Sequence, residues 1–350
     1  MMDQIRVGVI GSGYWGPNLI RNFVEINAAE VVVVSDLNQE RLWHINNRYP
    51  FISVTNDYRK FFSMQLDAVV VATPPSTHYQ IAKECLLNNM HVLVEKPLTL
   101  SSVNAQELIS IASQRNLRLM VGHTFEYNPA VHALKELIHS GELGRIYYID
   151  GVRANLGLFQ RELNVLWDLA VHDISILLYI LDQEPISVSV QGMACVIDGV
   201  HDIAYLHLNF PERIFAHVRL SWLDPAKVRR TTIVGSKKMA VYDDVESIEK
   251  IRIYDKGVEV PPYTDTYEEY KLSYRYGDIV IPHIEPNEPL NIECRHFLES
   301  IMNNTEPQSN GEVGLKVVKV LEAAERSLTN FGSQEFLVEA EAAFHAKIEV

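Results

Sequence analysis

Two regimes of apolar patterning divide the 350-residue chain. Up to about residue 122, short apolar runs recur at Ile5 to Ile10, Val31 to Val34, Asp67 to Ala72, His91 to Val94 and Arg118 to Val121. Between them lie stretches with apolar residues at helical spacing, such as Leu19, Ile20 and Phe23, and the segments Asp36 to Arg48, Ser76 to Leu87 and Ser101 to Arg115. Short continuous apolar runs suit strands buried on both faces, and their alternation with helices predicts a doubly wound parallel sheet. Ligands of such sheets sit beyond the carboxyl ends of the strands. That places Gly11, Asp36, Thr73, Glu95, Lys96 and His123 at one edge.

Beyond residue 125 the pattern changes. Pro129 to His139 reads as a helix stopped by Gly141 to Gly144, Ile146 to Asn155 as a strand, and Leu163 to Leu181 as a long helix. Period-two alternation follows: Ile214, Ala216, Val218, Leu220 and Trp222 share one face, and His217, Arg219 and Ser221 the other. Turn residues at Asp198-Gly199, Pro211-Glu212, Asp224-Pro225 and Gly235-Ser236 predict an antiparallel meander with helices on one face only. Residues 255–288, rich in Pro, Tyr and acids, read as a long excursion, and helices at Pro289 to Met302 and Gly311 to Leu328 close the chain. The expectation is an α/β domain over residues 1–124, followed by an α+β domain over 125–350 with an open, mostly antiparallel sheet.

Composition narrows the classes. The chain is 47% apolar with no run near the ~20 residues of a membrane span. A first strand beginning by Ile5 leaves no room for a signal peptide, so a cytoplasmic protein without membrane attachment is expected. A formal net charge of −14 argues against general nucleic-acid binding, yet leaves room for a phosphorylated small substrate held by a few local arginines. Cys85, Cys195 and Cys294 are scattered, and no metal site is expected.

Between the first strand and first helix stands Gly11-Ser12-Gly13-Tyr14-Trp15-Gly16. The first glycine permits the tight turn, the second lets backbone approach a pyrophosphate, and the third lets helix and strand pack closely. Asp36, ending the second strand, is where an acid holds an adenosine ribose 2′-hydroxyl and repels a 2′-phosphate, which favours NAD over NADP. The cofactor-binding set expected at this edge is residues Gly11 to Gly16 with Asp36, Thr73, Pro74, His78, Glu95, Lys96 and His123. Read alone, Lys96 is either a solvated loop lysine or a group that bonds a substrate hydroxyl. Asp168 and His172, at i and i+4, share a helix face: an ordinary pair, or a carboxylate orienting an imidazole general base. Arg153, Asn155 and Arg161 precede that helix, and Arg229 and Arg230 lie on a later strand; arginine forks suit a diphosphate, and equally a solvated surface.

Together these residues resemble the Gfo/Idh/MocA oxidoreductases along essentially the whole chain. The carriers are residues 11–16, Thr73-Pro74-Pro75 with His78, Glu95-Lys96-Pro97, and the stretch from Asp168 to His172 and Asp173. Residues 13–18, Leu166 to Leu169, Ser221 to Leu223 and Glu288 to Leu290 are similar to the branch that oxidises sugar nucleotides at C3. Val171 stands where the family pattern has proline. The resemblance implies a Rossmann domain, NAD as cofactor, and a homodimer or homotetramer formed through the free sheet face. It also implies oxidation of a sugar-nucleotide hydroxyl, at C3 of UDP-N-acetylglucosamine or a related UDP-sugar, to a 3-keto sugar. Lys96 would bond the reacting hydroxyl, His172 take its proton and Asp168 orient His172, with Arg153 and Asn155 also on the substrate. The alternatives are a cyclitol or free-sugar dehydrogenase, an NADPH-dependent ketosugar reductase, and, in another class, a non-catalytic NAD-binding regulator.

Overall fold

A computed structural model describes residues 4–159, 162–259 and 273–337. Contacts divide them into two compact units: the residues up to Asn128 with Asn287–Lys319, and Pro129–Pro286 with the residues from Val320 onward.

The first unit opens with β1 (Ile5–Ile10), α1 (Gly16–Glu25), β2 (Ala29–Ser35), α2 (Gln39–Arg48), β3 (Ser53–Thr55) and β4 (Ala68–Val71). It continues with α3 (Pro75–Leu87), β5 (His91–Glu95), α4 (Ser102–Gln114) and β6 (Leu119–Gly122). The strands lie parallel in the order β3-β2-β1-β4-β5-β6. Val7, Val9, Val69, Val70, Val92 and Val94 have no exposed surface, as a sheet covered on both faces requires. The short strand β3 escaped the sequence pattern. Helix α3 begins at Pro75 rather than being capped by Ser76, because proline's fixed φ suits the first helical position.

The second unit runs through α5 (Pro129–His139), β7 (Ile146–Leu156), α6 (Val171–Leu181), β8 (Ser187–Met193), β9 (Ile203–Asn209) and β10 (Phe215–Ser221). Next come β11 (Leu223–Gly235), β12 (Met239–Asp243), β13 (Ile251–Glu259) and β14 (Ser273–Val280). Helices α7 (Pro289–Met302) and α8 (Gly311–Thr329) and the two-residue β15 (Glu335–Phe336) follow. Among the described residues the second sheet has nine strands, ordered β14-β13-β12-β11-β7-β10-β9-β8-β15. Ala216, Val218 and Leu220 are buried while Phe215 is 40% exposed, so the alternation expected on β10 is present.

The structure revises three expectations. The sheet is no simple meander: β7 lies between β10, to which it runs parallel, and β11, to which it is antiparallel. Asp224-Pro225 therefore opens no hairpin. The chain crosses the end of β7 at Trp222, which is fully buried, and the register slips between Leu223 and Val228. The excursion expected at 255–288 is in part the edge pair β13 and β14; residues 260–272 fall outside the described set. The chain also does not leave the first unit for good near residue 124. It returns, and α7 packs Leu290, Cys294, Phe297 and Leu298 into the cluster that holds Leu19, Ile20 and Phe23 of α1.

Candidate active site

The glycine loop is built as its sequence requires. Gly11 has φ +98, and a Cβ there would stand 2.3 Å from the Ala72 carbonyl oxygen. A Cβ on Gly16 would stand 2.2 Å from the Gly11 carbonyl oxygen. Both positions exclude any side chain. A Cβ on Gly13 would meet only the end of the Arg41 side chain, 3.5 Å away, so the backbone is bare on that side. Helix α1 begins next to it with Pro17 in its first turn and no side chain capping its N–H groups. Bare backbone facing uncapped N–H groups fits a pyrophosphate. Asp36 is held ready beside them: its Oδ2 accepts from the Ser12 backbone N–H (2.7 Å) and hydroxyl (3.2 Å), and its Oδ1 from the Asn38 N–H (2.8 Å). Arg41 lies 3.6 Å from the same carboxylate. Tyr14 is 86% exposed beside the half-buried Trp15.

At the ends of β4 to β6 the expected residues separate into groups. Thr73 is half-buried with its hydroxyl 2.7 Å from that of Thr77, and Pro74 is exposed. Lys96, after β5, is half-buried, and its backbone N–H reaches the Glu95 Oε2 at 3.3 Å. His123, after β6, is buried. His78 is a correction. It is 1% exposed, and its ring nitrogens lie 2.8 Å from the Pro97 and Thr73 carbonyl oxygens. Burial holds its pKa below the ordinary value, so the neutral ring donates to one carbonyl at a time. It ties the loop after β4 to the loop after β5 rather than reaching a ligand.

In the second unit the long helix expected from Leu163 is instead a π-helical turn, Leu166–Ala170, running into α6. Such turns are frequent at functional sites because they re-aim side chains. Asp168 lies in that turn and His172 in the first turn of α6, both half-buried. The indole N–H of Trp222 donates to Asp168 Oδ2 at 3.0 Å, so the residue at the strand crossing fixes the carboxylate. From the sequence Trp222 reads only as one face of the alternating strand and part of the Ser221 to Leu223 resemblance, with no such role. Arg153 is the second correction. Its guanidinium lies in the core, bonded to Asp173 through Nε to Oδ2 (2.5 Å) and Nη2 to Oδ1 (3.2 Å). With 5 and 7% of the two side chains exposed, the fork is turned to Asp173 instead of to a diphosphate. Asn155 is half-buried on β7. Arg229 and Arg230 pair with Asp244 and Asp243, and Arg161 lies outside the described residues. No group of three or more His, Cys, Asp or Glu placed to hold a metal occurs among the described residues.

A parallel sheet in this order, a glycine cradle at an uncapped helix and a poised ribose-binding acid define a dinucleotide-binding protein. Comparison with known proteins narrows this class. Residues 5–123 match the oxidoreductase-family model for an NAD-binding Rossmann fold, and residues 131–241 match the model of the GFO/IDH/MocA C-terminal domain. The chain belongs to the Gfo/Idh/MocA family of NAD-binding oxidoreductases, whose dehydrogenase members act on alcohol groups. It is 27% identical over 267 residues to the UDP-N-acetylglucosamine 3-dehydrogenase of Acidithiobacillus ferrooxidans, spanning 75% of this chain and 80% of that one. It is 22% identical to the myo-inositol 2-dehydrogenase of Thermotoga maritima, over 93% of this chain and 96% of that one. A solved structure of the A. ferrooxidans enzyme shares the fold with a TM-score of 0.77, at 24% identity, over 94% of this chain and 99% of that one. No helix among the described residues is long and apolar enough to cross a membrane.

Proposed function

We propose that this protein oxidises a hydroxyl of a sugar nucleotide, at C3 of UDP-N-acetylglucosamine or a related UDP-sugar, to the 3-keto sugar. NAD supplies the hydride acceptor. The observation that carries the substrate is the likeness to the A. ferrooxidans UDP-N-acetylglucosamine 3-dehydrogenase, which extends over 75% of this chain and so is not confined to the cofactor domain. Asp36 supports NAD over NADP, since its carboxylate is already anchored by Ser12 where a 2′-phosphate would have to sit.

In this reading Lys96 bonds the reacting hydroxyl and stabilises the developing alkoxide, and His172 takes the proton as hydride leaves. Asp168, steadied by the Trp222 indole, orients His172. Arg153 is withdrawn from the substrate set because Asp173 occupies it; Asn155 stays in it. A panel of UDP- and dTDP-sugars beside myo- and scyllo-inositol tests the reading. Reduced cofactor should accumulate with a UDP-sugar. Turnover of inositols alone would replace it with the cyclitol reading that the T. maritima relative represents.

A further inference from the structure

Two carboxyl groups and an imidazole lie in the first unit at the ends of β5 and β6 and early in α7: Glu95 and His123, expected at the cofactor edge but given no chemical step above, and Glu293. Glu95 ends β5 and faces Gly122 across the β5–β6 pair. A Cβ on Gly122 would stand 3.2 Å from the Glu95 carboxyl carbon. Two residues on, the Thr124 hydroxyl donates to Glu293 Oε2 at 2.7 Å. One short stretch of chain thus brackets both carboxyls, with His123 between. Glu293 has no exposed surface, and its Oε1 has no hydrogen-bond partner among the described residues. His123 is 1% exposed, and both of its ring nitrogens are likewise without partners there. Buried polar atoms without partners cost stability, and a fold that keeps three of them at its ligand edge does so for a reason.

Two carboxyls held beside Gly122 and Thr124, one of them fully buried, do not both ionise cheaply. Burial, reinforced by the charge of Glu95, pushes Glu293 well above the usual carboxyl range. Partial burial pushes Glu95 up to about 7, against the opposing pull of the Lys96 ammonium, the Lys96 N–H and the Trp15 indole. The other titratable neighbours do not neutralise the pair. His123 is pushed down to about 3 by burial and by Lys96, so its ring is neutral. The Cys294 thiol is pushed up and stays protonated, Glu126 adds a further acid, and Arg21 is taken by Glu288 and Glu25.

With the adenosine ribose at Asp36 and the pyrophosphate at α1, the nicotinamide half of the cofactor falls to the β4–β6 half of the sheet, where the pair lies. We propose that Glu95 and Glu293 share a proton in the free protein and give one to solvent when the positively charged nicotinamide of NAD⁺ binds, whereas the neutral ring of NADH leaves the proton in place. The proposal rests on the cofactor reading above, though not on the sugar. A cation within about 4–6 Å favours a carboxylate over its acid. Linkage is reciprocal, so below the pair's midpoint NAD⁺ affinity climbs with pH by up to roughly tenfold per unit, and NADH affinity stays flat. The pair thereby tilts the protein toward the oxidised cofactor as pH rises.

Calorimetric titration of the full-length protein with NAD⁺ and with NADH, near pH 7 in two buffers of different ionisation enthalpy, counts the protons. The expected result is release of about half to one proton with NAD⁺ and none with NADH, and loss of that release in Glu293→Gln. Should that variant fail to fold, the pH dependence of the two dissociation constants in the unaltered protein carries the same information. Equal proton counts for the two cofactors overturn the pair while leaving the cofactor reading intact. Failure of both cofactors to bind overturns both.

Discussion

At Arg153 two arms of the guanidinium are committed to Asp173 inside the protein, and the consequence can be measured. Removing the guanidinium in Arg153→Met leaves the Asp173 carboxylate buried without its bidentate partner. Breaking one side of a buried pair costs about 3–5 kcal/mol, so the denaturation midpoint should fall by that equivalent at unchanged slope. A stability near that of the unaltered protein would mean the fork is free to serve a ligand. Lys96 and His172 should respond in the opposite sense. Lys96→Met and His172→Ala should leave stability close to normal, His172→Ala should also leave NAD affinity close to normal, and both should lower turnover by roughly 100-fold or more, the scale of losing one such group. Steady-state kinetics beside NAD titration separates the two behaviours. Lys96, Asp168 and His172 were nameable from sequence because their spacing and flanking residues form a pattern. Arg153 misled because an arginine on an alternating strand looks the same whether its partner is a substrate or an aspartate twenty residues later on the next helix. Glu293 left a fainter signal: an acid set within the apolar stripe of Leu290, Cys294 and Phe297, which only a buried role explains.

At the scale of elements, the glycine loop separates folding from binding. Gly16→Ala forces a methyl against the Gly11 carbonyl oxygen at 2.2 Å. The strand and helix must part, at a cost of about 1–3 kcal/mol, and NAD binding should go with them. Gly13→Ala meets only the movable end of Arg41. It should melt near the unaltered protein yet bind NAD weakly, because the new methyl stands where the pyrophosphate approaches. Thermal melts and NAD titration of the two variants check the contrast. The first sheet was legible because parallel strands buried on both faces leave continuous apolar runs between helices. The second was harder. Local alternation marks each strand's faces but not its neighbours, so nothing near Trp222 announced that β7, some seventy residues earlier, lies between β10 and β11. The π-helical turn at Asp168 was hidden too, since an apolar helical stretch has nearly the same pattern with or without one widened turn.

At the scale of the molecule, the second sheet carries an exposed aromatic face. Opposite the buried Ala216, Val218 and Leu220 stand Phe215, Tyr148 beside it in register, and Tyr205, each 40 to 46% exposed. His207 and His217 sit between them with their Nδ1 atoms 3.3 Å apart. Aromatic side chains are enriched at the cores of such interfaces. A homodimer or homotetramer is therefore expected at micromolar concentration, and sedimentation equilibrium returning the 39.9 kDa of one chain would rule it out. In the proposed reaction the hydride comes from the sugar C3. UDP-N-acetylglucosamine carrying deuterium at C3, incubated with the protein and NAD, provides the most direct measurement, read by mass spectrometry of the cofactor. Oxidation at C3 puts deuterium in the reduced nicotinamide and leaves a keto sugar that has lost it. Reduced cofactor without the label, or label retained in the sugar, would contradict oxidation at C3.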